Sequence, residues 1–368
     1  PHAHALWRFG PAETALPAVL RRAGYETCRF GFREEMEFFP LGRDVDMDAY
    51  ARDVLGYDRT RDDLRDTDGV LDAVRELLVN RNSSVPLYCC AQLLDIHRPN
   101  EDPVDARRLS GTTVPRALPT LPYTQASLTD VASFEQRIER ADDAVGRLLA
   151  ALLADGLQEN TLVLLTADHG LDLPRAKMTL FDAGTRVAMI AWGCGVPAGT
   201  RDGGLHSHMD IFPTLLDFAG IPIPPSVQGV SFASALRGEA ESRAREFVIM
   251  ERSWEAPLNP GRAIRTRRWK YIRSYCPGRP IPIPPDYVRK VGAALTDPLY
   301  GGPVPHEQLY DLDSDPYELT DLASNPEHAS VLRALSERLD AELSADRDPV
   351  LRTEDYLPFL RLRLPELF

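Results

Sequence analysis

An acid and an imidazole stand side by side at Asp168-His169, directly after the apolar run Thr161 to Leu165 and directly before Gly170. A carboxylate and a ring nitrogen are natural ligands for a divalent cation. Neighbouring side chains on a regular strand point to opposite faces, so both reach one ion only where the strand ends and the chain turns, as Gly170 would permit. The competing reading is a capping aspartate beside a surface histidine. Lys177 follows seven residues after Gly170, close enough in sequence to bring positive charge to a tetrahedral oxyanion at the same place. A second candidate sits in Asp95-Ile96-His97-Arg98-Pro99, after another apolar run. There His97 can bind a substrate anion or protonate a leaving group, against the plainer alternative of a hydrogen-bonded loop histidine.

These residues need a scaffold that delivers them to one edge. Leu16, Val19, Leu20 and Ala23 make one helical face, with Thr14 as its expected cap and Gly24 as its stop, and an extended run follows from Tyr25 to Phe32. Val70, Leu71, Val74, Leu77 and Leu78 predict a second helix, which leads into Leu87 to Leu94. That run suits a strand covered on both faces. From Val131, the positions Phe134, Ile138, Ala141, Val145, Leu148, Leu149 and Leu152 recur at helical spacing until Gly156, and the strand before Asp168 comes next. Alternation of helix and strand over the first 220 residues or so predicts an α/β fold with a mostly parallel sheet flanked by helices. Ligands in such folds bind beyond the carboxyl ends of the strands, where Asp168 and His97 stand.

Near Gly238 the texture changes to charged, proline-rich sequence with shorter extended pieces, Phe247 to Met250 and Ala263 to Tyr275 among them. The expected division is therefore a larger domain over 1–238 and a smaller one over 239–368. The second should hold an antiparallel sheet and a helix near Glu327 to Leu343, whose face is Val331, Leu332, Leu335, Leu339 and Leu343. The row Arg265, Arg267, Arg268, Lys270 and Arg273 reads as the wet face of an antiparallel strand, with a polyanion-binding strip as the alternative. His206 and His208 precede Asp210, which should cap a helix begun by Ile211, Phe212 and Pro213, and both histidines are taken as structural or surface residues.

Composition narrows the class. With 43% hydrophobic and 26% charged residues the chain is of ordinary globular make-up, and no apolar run approaches the length of about 18 residues that a membrane helix needs. A formal charge of −13 disfavours nucleic acid as a partner and requires any anionic substrate to be held by local cations or a metal. The five cysteines are odd in number, and Cys89 and Cys90 lie together on an apolar stretch. Read as reduced thiols, they lean towards the cytoplasm, although a chain that opens at Pro1 without an initiator methionine leaves export open.

Taken in order, several stretches resemble the sulfatase family: Pro1 to His4, Leu20 to Thr27, Asp95 to Pro99, Thr166 to Gly170, Lys177 to Arg186, Asp210 to Asp217, and Leu309 to Leu312 with Asp315-Pro316. Within it, Pro174 to Asp182 is most similar to heparan N-sulfatase-like, or sulfamidase-like, members. The resemblance implies an alkaline phosphatase-like α/β domain with a smaller carboxy-terminal domain. It also implies hydrolysis of sulfate esters or sulfamates carried by a sulfated small molecule or saccharide. By the same resemblance Asp168 and His169 would be metal ligands, Lys177 would contact the sulfate group, and His97 would bind sulfate or assist the leaving group.

The family's nucleophile is a formylglycine made from Cys or Ser in a Cys/Ser-x-Pro-x-Arg motif, and two further aspartate ligands lie near the amino terminus. This sequence contains neither, and the resemblance places Pro1 just downstream of the motif, so the chain by itself is expected to be inactive. Two other departures stand out. Where family members often carry Gly-Lys-x-His, this chain has Gly31-Phe32-Arg33-Glu34, which makes Arg33 and Glu34, with Arg175, secondary candidates for substrate binding. Sulfatases commonly place Asn at the position of His169, and a nitrogen ligand moves the preference from the family's calcium towards manganese or zinc. The Asp-His pair keeps open a phosphoester or phosphonate hydrolase of the same superfamily, and the loss of the Lys-x-His pair keeps open a non-catalytic anion-binding remnant.

Overall fold

The computed structural model describes residues 15–32, 47–98, 103–105, 118–239, 245–252, 259–292, 295 and 298–351. Thr14, Arg33 and Glu34 lie outside the described residues. A parallel three-stranded sheet in the order β2-β1-β3 forms from β1 (Glu26–Gly31), β2 (Arg59–Arg61) and β3 (Leu87–Gln92). Parallel neighbours need crossover connections, and helices supply them. Alternate side chains of β3 serve opposite faces, because strand side chains have a period of two. Leu87 and Cys89 pack against the helices Thr67–Asn80 and Gln125–Ala154 through Val70, Leu71, Val74, Ala144, Leu148 and Leu152. Tyr88 and Cys90 face the other way, towards Ala15, Leu55 and Tyr57, and Tyr88 also meets Val19, Leu20 and Leu216. The run is thus covered on both sides, as its continuous hydrophobicity implied.

Element ends differ from the sequence expectation in instructive ways. The first helix, Leu16–Arg22, has Ala15 at its N-cap and no side-chain cap bond, with Pro17 supplying the preset backbone angle instead. The long helix begins at Gln125, six residues before the apolar pattern does, because Thr124 accepts from the Ser127 backbone N–H and its first turns bury Ser127 and Asp130 rather than apolar side chains. Ile138, expected inside, is 41% exposed. β4 (Val163–Thr166) pairs antiparallel with β5 (Met189–Trp192) in a separate two-stranded sheet, so among the described residues the parallel pairing expected of one larger sheet is confined to β1, β2 and β3.

Beyond residue 238, β6 (Val248–Arg252), β7 (Gly261–Arg265), β8 (Trp269–Ser274) and β9 (Glu307–Asp311) form an antiparallel sheet in sequence order. The stretch expected as one extended piece, Ala263 to Tyr275, is two strands joined by a turn at 266–268. One face, Ile264, Tyr271 and Leu309, packs on the helix Ala329–Ala345 through Leu335, Leu339 and Leu343. The other face, Ala263, Ile272 and Tyr310, packs on Leu180 and Phe181. That second contact reaches the loop that carries Lys177, which Leu180 and Phe181 close. No helix among the described residues is long and apolar enough to cross a membrane.

The basic row is neither a wet face nor a polyanion strip. Lys270 is fully buried, its ammonium 2.9 Å from Asp182 and 3.2 Å from Glu318, and Arg265 holds Asp182 at 3.1 Å. Arg273 pairs with Asp340 and Arg268 with Asp311. Arg267 is the member left exposed with no partner among the described residues. Alternation alone cannot reveal this, because a carboxylate brought by another segment makes a buried cation tolerable.

Candidate active site

His97 sits on a turn beyond the carboxyl end of β3. Its position is fixed on both sides: Asp95 accepts from the Thr67 N–H at 2.9 Å, and Arg137 donates to the backbone carbonyls of Asp95 (3.0 Å) and His97 (2.9 Å). The ring itself has a defined tautomer. Nδ1 lies 2.6 Å from the Arg98 carbonyl, which can only accept, so Nδ1 carries the proton and Nε2 offers a lone pair. Lys177 Nζ lies 3.1 Å from that Nε2 and donates to it. The same ammonium is 3.3 Å from Asp172 Oδ2.

Asp168 and His169 follow β4. Asp168 Oδ1 accepts from the His169 backbone N–H at 2.8 Å, and His169 Nδ1–H donates to the Gly170 carbonyl at 2.9 Å. This leaves Nε2 of His169 as a lone pair, 3.5 Å from the other carboxylate oxygen of Asp168. Asp168 is 66% exposed. Two donors of the right chemistry therefore converge on the cleft, and as a pair they fit a divalent cation. No cluster of three or more His, Cys, Asp or Glu side chains suited to a metal occurs among the described residues.

Gly170 works through space rather than through an unusual backbone angle. Its N–H donates to the Gly184 carbonyl at 2.9 Å, and a Cβ there would stand 1.9 Å from the Ala183 carbonyl oxygen. Only glycine lets the Asp168-His169 turn press against the helical turn Asp182–Thr185. The intervening loop is strained. Arg175 and Met178, on either side of Lys177, hold positive φ of 59° and 65°, a region that costs a side-chain-bearing residue about 1–3 kcal/mol. The Lys177 N–H donates to the Leu171 carbonyl at 2.8 Å, which closes the loop and aims the side chain.

His97, Arg98, Asp168, His169, Asp172 and Lys177 all line one cleft. Arg175 is not brought to it. Its guanidinium stacks 4.0 Å over the Phe181 ring and donates to the Glu318 carbonyl at 2.6 Å, and the residue is 5% exposed. It ties the Lys177 loop to the turn that follows β9, a role hidden in sequence because Glu318 lies 143 residues away. His206 and His208 line the cleft as well, and His206 is held by Asp202 at 2.7 Å.

Two participants escaped the sequence reading. Asp172 gives no pattern signal, being one more acidic residue in a loop. Arg98 stood inside the Asp95 to Pro99 stretch without an assigned role. It is buried, and donates to both Asp130 and Asp286, with Lys290 as a second cation 2.9 Å from Asp130. Burial opposes its charge, but the two carboxylates outweigh that and hold the guanidinium above even its usual range; in return Arg98 holds the Asp286 carboxyl below the usual range against the effect of burial. All five cysteines are free, and burial pushes the Cys28 thiol up to about 12, so it serves as a small core residue rather than a nucleophile.

The sulfatase family profile matches residues 2–221, and the carboxy-terminal profile of N-sulphoglucosamine sulphohydrolase matches 175–278. An ulvan-active sulfatase of Formosa agariphila is 32% identical over 246 residues, which cover 62% of this chain and 41% of that protein. The chain thus spans less than half the length of that relative. Among solved structures, one titled as BT4656 in complex with its substrate D-glucosamine-2-N,6-O-disulfate superposes with a TM-score of 0.62 at 17% identity, over 94% of this chain and 85% of that one. The phosphonate monoester hydrolase of Agrobacterium radiobacter gives 0.65 at 19%, over 92% and 81%. At those identities the two structures speak for a shared fold alone.

Proposed function

Because the chain belongs to the sulfatase family, we propose that its cleft hydrolyses sulfate esters or sulfamates of a small molecule or saccharide. The observation that carries this reading is the contact of Lys177 Nζ with His97 Nε2, 3.1 Å, in a cleft that Asp168 and His169 also line. Lys177 supplies positive charge to the non-bridging oxygens of the group being transferred, where negative charge gathers in the transition state. In the resting cleft Nε2 of His97 accepts from Lys177; when substrate draws the ammonium onto its oxygens, Nε2 takes up a proton from solvent and gives it to the departing oxygen or nitrogen. The neutral ring left behind has its proton on Nδ1, the tautomer that the Arg98 carbonyl favours. Asp168 and His169 would hold a divalent cation, which supplies Lewis-acid stabilisation when bound. Residues 1–238 would form the catalytic part, with 239–368 bracing the Lys177 loop through Phe181 and Arg175.

A phosphoester or phosphonate ester is the second reading, favoured by the nitrogen donor of His169 in place of an amide oxygen. Turnover of p-nitrophenyl sulfate, p-nitrophenyl phosphate and a phenylphosphonate ester by the full-length protein, with Ca2+, Mn2+ or Zn2+, separates the two. Preference for the sulfate, lost in Asp168→Ala, is the expected result. Preference for a phosphorus ester would replace the sulfate assignment, and full turnover by Asp168→Ala would remove that residue from the site.

A further inference from the structure

We propose that Asp172 is a positioning residue, which pins the Lys177 ammonium against His97 Nε2, and that Arg98 fixes Asp172 in turn. The proposal rests on the reading above that Lys177 and His97 act on the transferred group. A lysine at the rim of a cleft has four rotatable bonds and, left to itself, loses considerable rotamer freedom on being held in one place. Here the ammonium is held from two sides, by Asp172 Oδ2 at 3.3 Å and by His97 Nε2 at 3.1 Å. The lysine and aspartate side chains are only 16% and 11% exposed, so their attraction is weakly screened. Three N–H bonds are available on the ammonium, and these two contacts leave one for an anion in the cleft.

Arg98 couples the two loops through different atoms. Its backbone carbonyl accepts from His97 Nδ1–H, and its side-chain Nε donates to the backbone carbonyl of Asp172 at 2.5 Å. One residue thus sets the tautomer of the histidine and the placement of the carboxylate that restrains the lysine. The guanidinium is anchored by Asp130 on the long helix Gln125–Ala154 and by Asp286 on the helix Pro285–Val291. The position of Lys177 is therefore referred to two helices outside its own loop. A merely structural Asp172 would need no partner in the cleft, yet its charged partner is the one cation in contact with His97 Nε2 among the described residues.

These 368 residues contain three lysines, Lys177, Lys270 and Lys290, so an ammonium 15N–1H spectrum of this chain has few signals to assign, while turnover is read on the full-length protein. At low temperature and mildly acidic pH, Lys177 and the buried Lys270 should both give long-lived signals, with Lys177→Ala identifying the first. Asp172→Asn should erase or broaden the Lys177 signal and leave that of Lys270 in place, and Asp172→Glu should restore it at least partly. In turnover, Asp172→Asn should lower kcat by roughly tenfold or more with KM changed less than threefold, again with partial rescue by Glu. An unmoved Lys177 signal and unchanged kcat in Asp172→Asn would overturn the proposal. Loss of the Lys270 signal together with that of Lys177 would mean that the fold, rather than the lysine, depends on Asp172, and would also count against it. If Lys177→Ala itself turns over substrate at the normal rate, the failure lies with the reading of the site instead.

Discussion

Two clusters of ionisable side chains, each built on an aspartate, differ in where their polar atoms end up. Between the Lys177 loop and the antiparallel sheet, Asp182, Glu318, Lys270 and Arg265 meet with side-chain exposures of 10%, 1%, 0% and 18%. Their charges are spent on one another. In the cleft, Asp168 is 66% and His169 34% exposed, and Nε2 of His169 and an oxygen of Asp168 lie 3.5 Å apart, with no Lys or Arg ion pair to Asp168 among the described residues. Charged side chains that satisfy each other make a joint; side chains that converge with lone pairs open to solvent make a site. Residue type does not distinguish the two, and segment pairing does.

Breaking the joint should cost the most. Lys270→Met leaves the Asp182 and Glu318 carboxylates buried together with only Arg265 beside them, and should lower unfolding stability by about 3–5 kcal/mol in a denaturant titration. Asp182→Asn comes next, at about 2 kcal/mol near neutral pH, as expected for losing hydrogen bonds to charged groups. Its pH dependence has a definite sign. Burial alone would push the Asp182 carboxyl up, but Lys270 and Arg265 outweigh it and hold the carboxyl below its usual range. A depressed carboxylate contributes stability above its ordinary value of 3.8 and loses it as pH falls through the folded-state value, so the deficit of Asp182→Asn should shrink below about pH 4.

Glu318 should behave in the opposite sense. Burial raises its carboxyl above the ordinary 4.5, with Lys270 only partly offsetting this. The folded state then binds the proton more tightly than the unfolded one, and the native Glu loses stability as pH rises through the folded-state value. Glu318→Gln should therefore improve relative to the native protein as pH rises above the ordinary 4.5, by less than about 1 kcal/mol once its lost bond to Lys270 is counted. A change of the reverse sign would show that the joint treats both carboxylates alike. The smallest stability effect belongs to the cleft: His97→Gln, on an exposed ring, should stay within about 0.5 kcal/mol of the native protein in the same titration.

Much of the scaffold was legible. The helices at 67–80 and 329–345 follow from apolar spacing, because each buries one face, and the strands Leu87–Gln92 and Val163–Thr166 follow from nearly unbroken apolar runs. The ends were less legible wherever a polar face was buried, as at Ser127 and Asp130 in the long helix. Of the candidate residues, His97, Asp168 and His169 were singled out by their places after apolar runs and Lys177 by its closeness in sequence to that pair, and all four line one cleft. Asp172 and Arg98 could not, since their meaning lies in partners 5 to 188 residues away. Arg175 was misread for the same reason. An arginine next to the candidate lysine looks like a second anion contact until Phe181 and Glu318 are seen to enclose it.

Lys177 carries the proposed catalysis most directly. Turnover of an aryl sulfate by Lys177→Ala in the full-length protein, with its unfolding midpoint measured on the same sample, tests it. A loss of at least about a hundredfold in kcat/KM, the scale of one missing electrostatic contact to a transition state, with the midpoint lowered by only a few degrees, is the predicted result. Turnover within a few-fold of the native protein would contradict it.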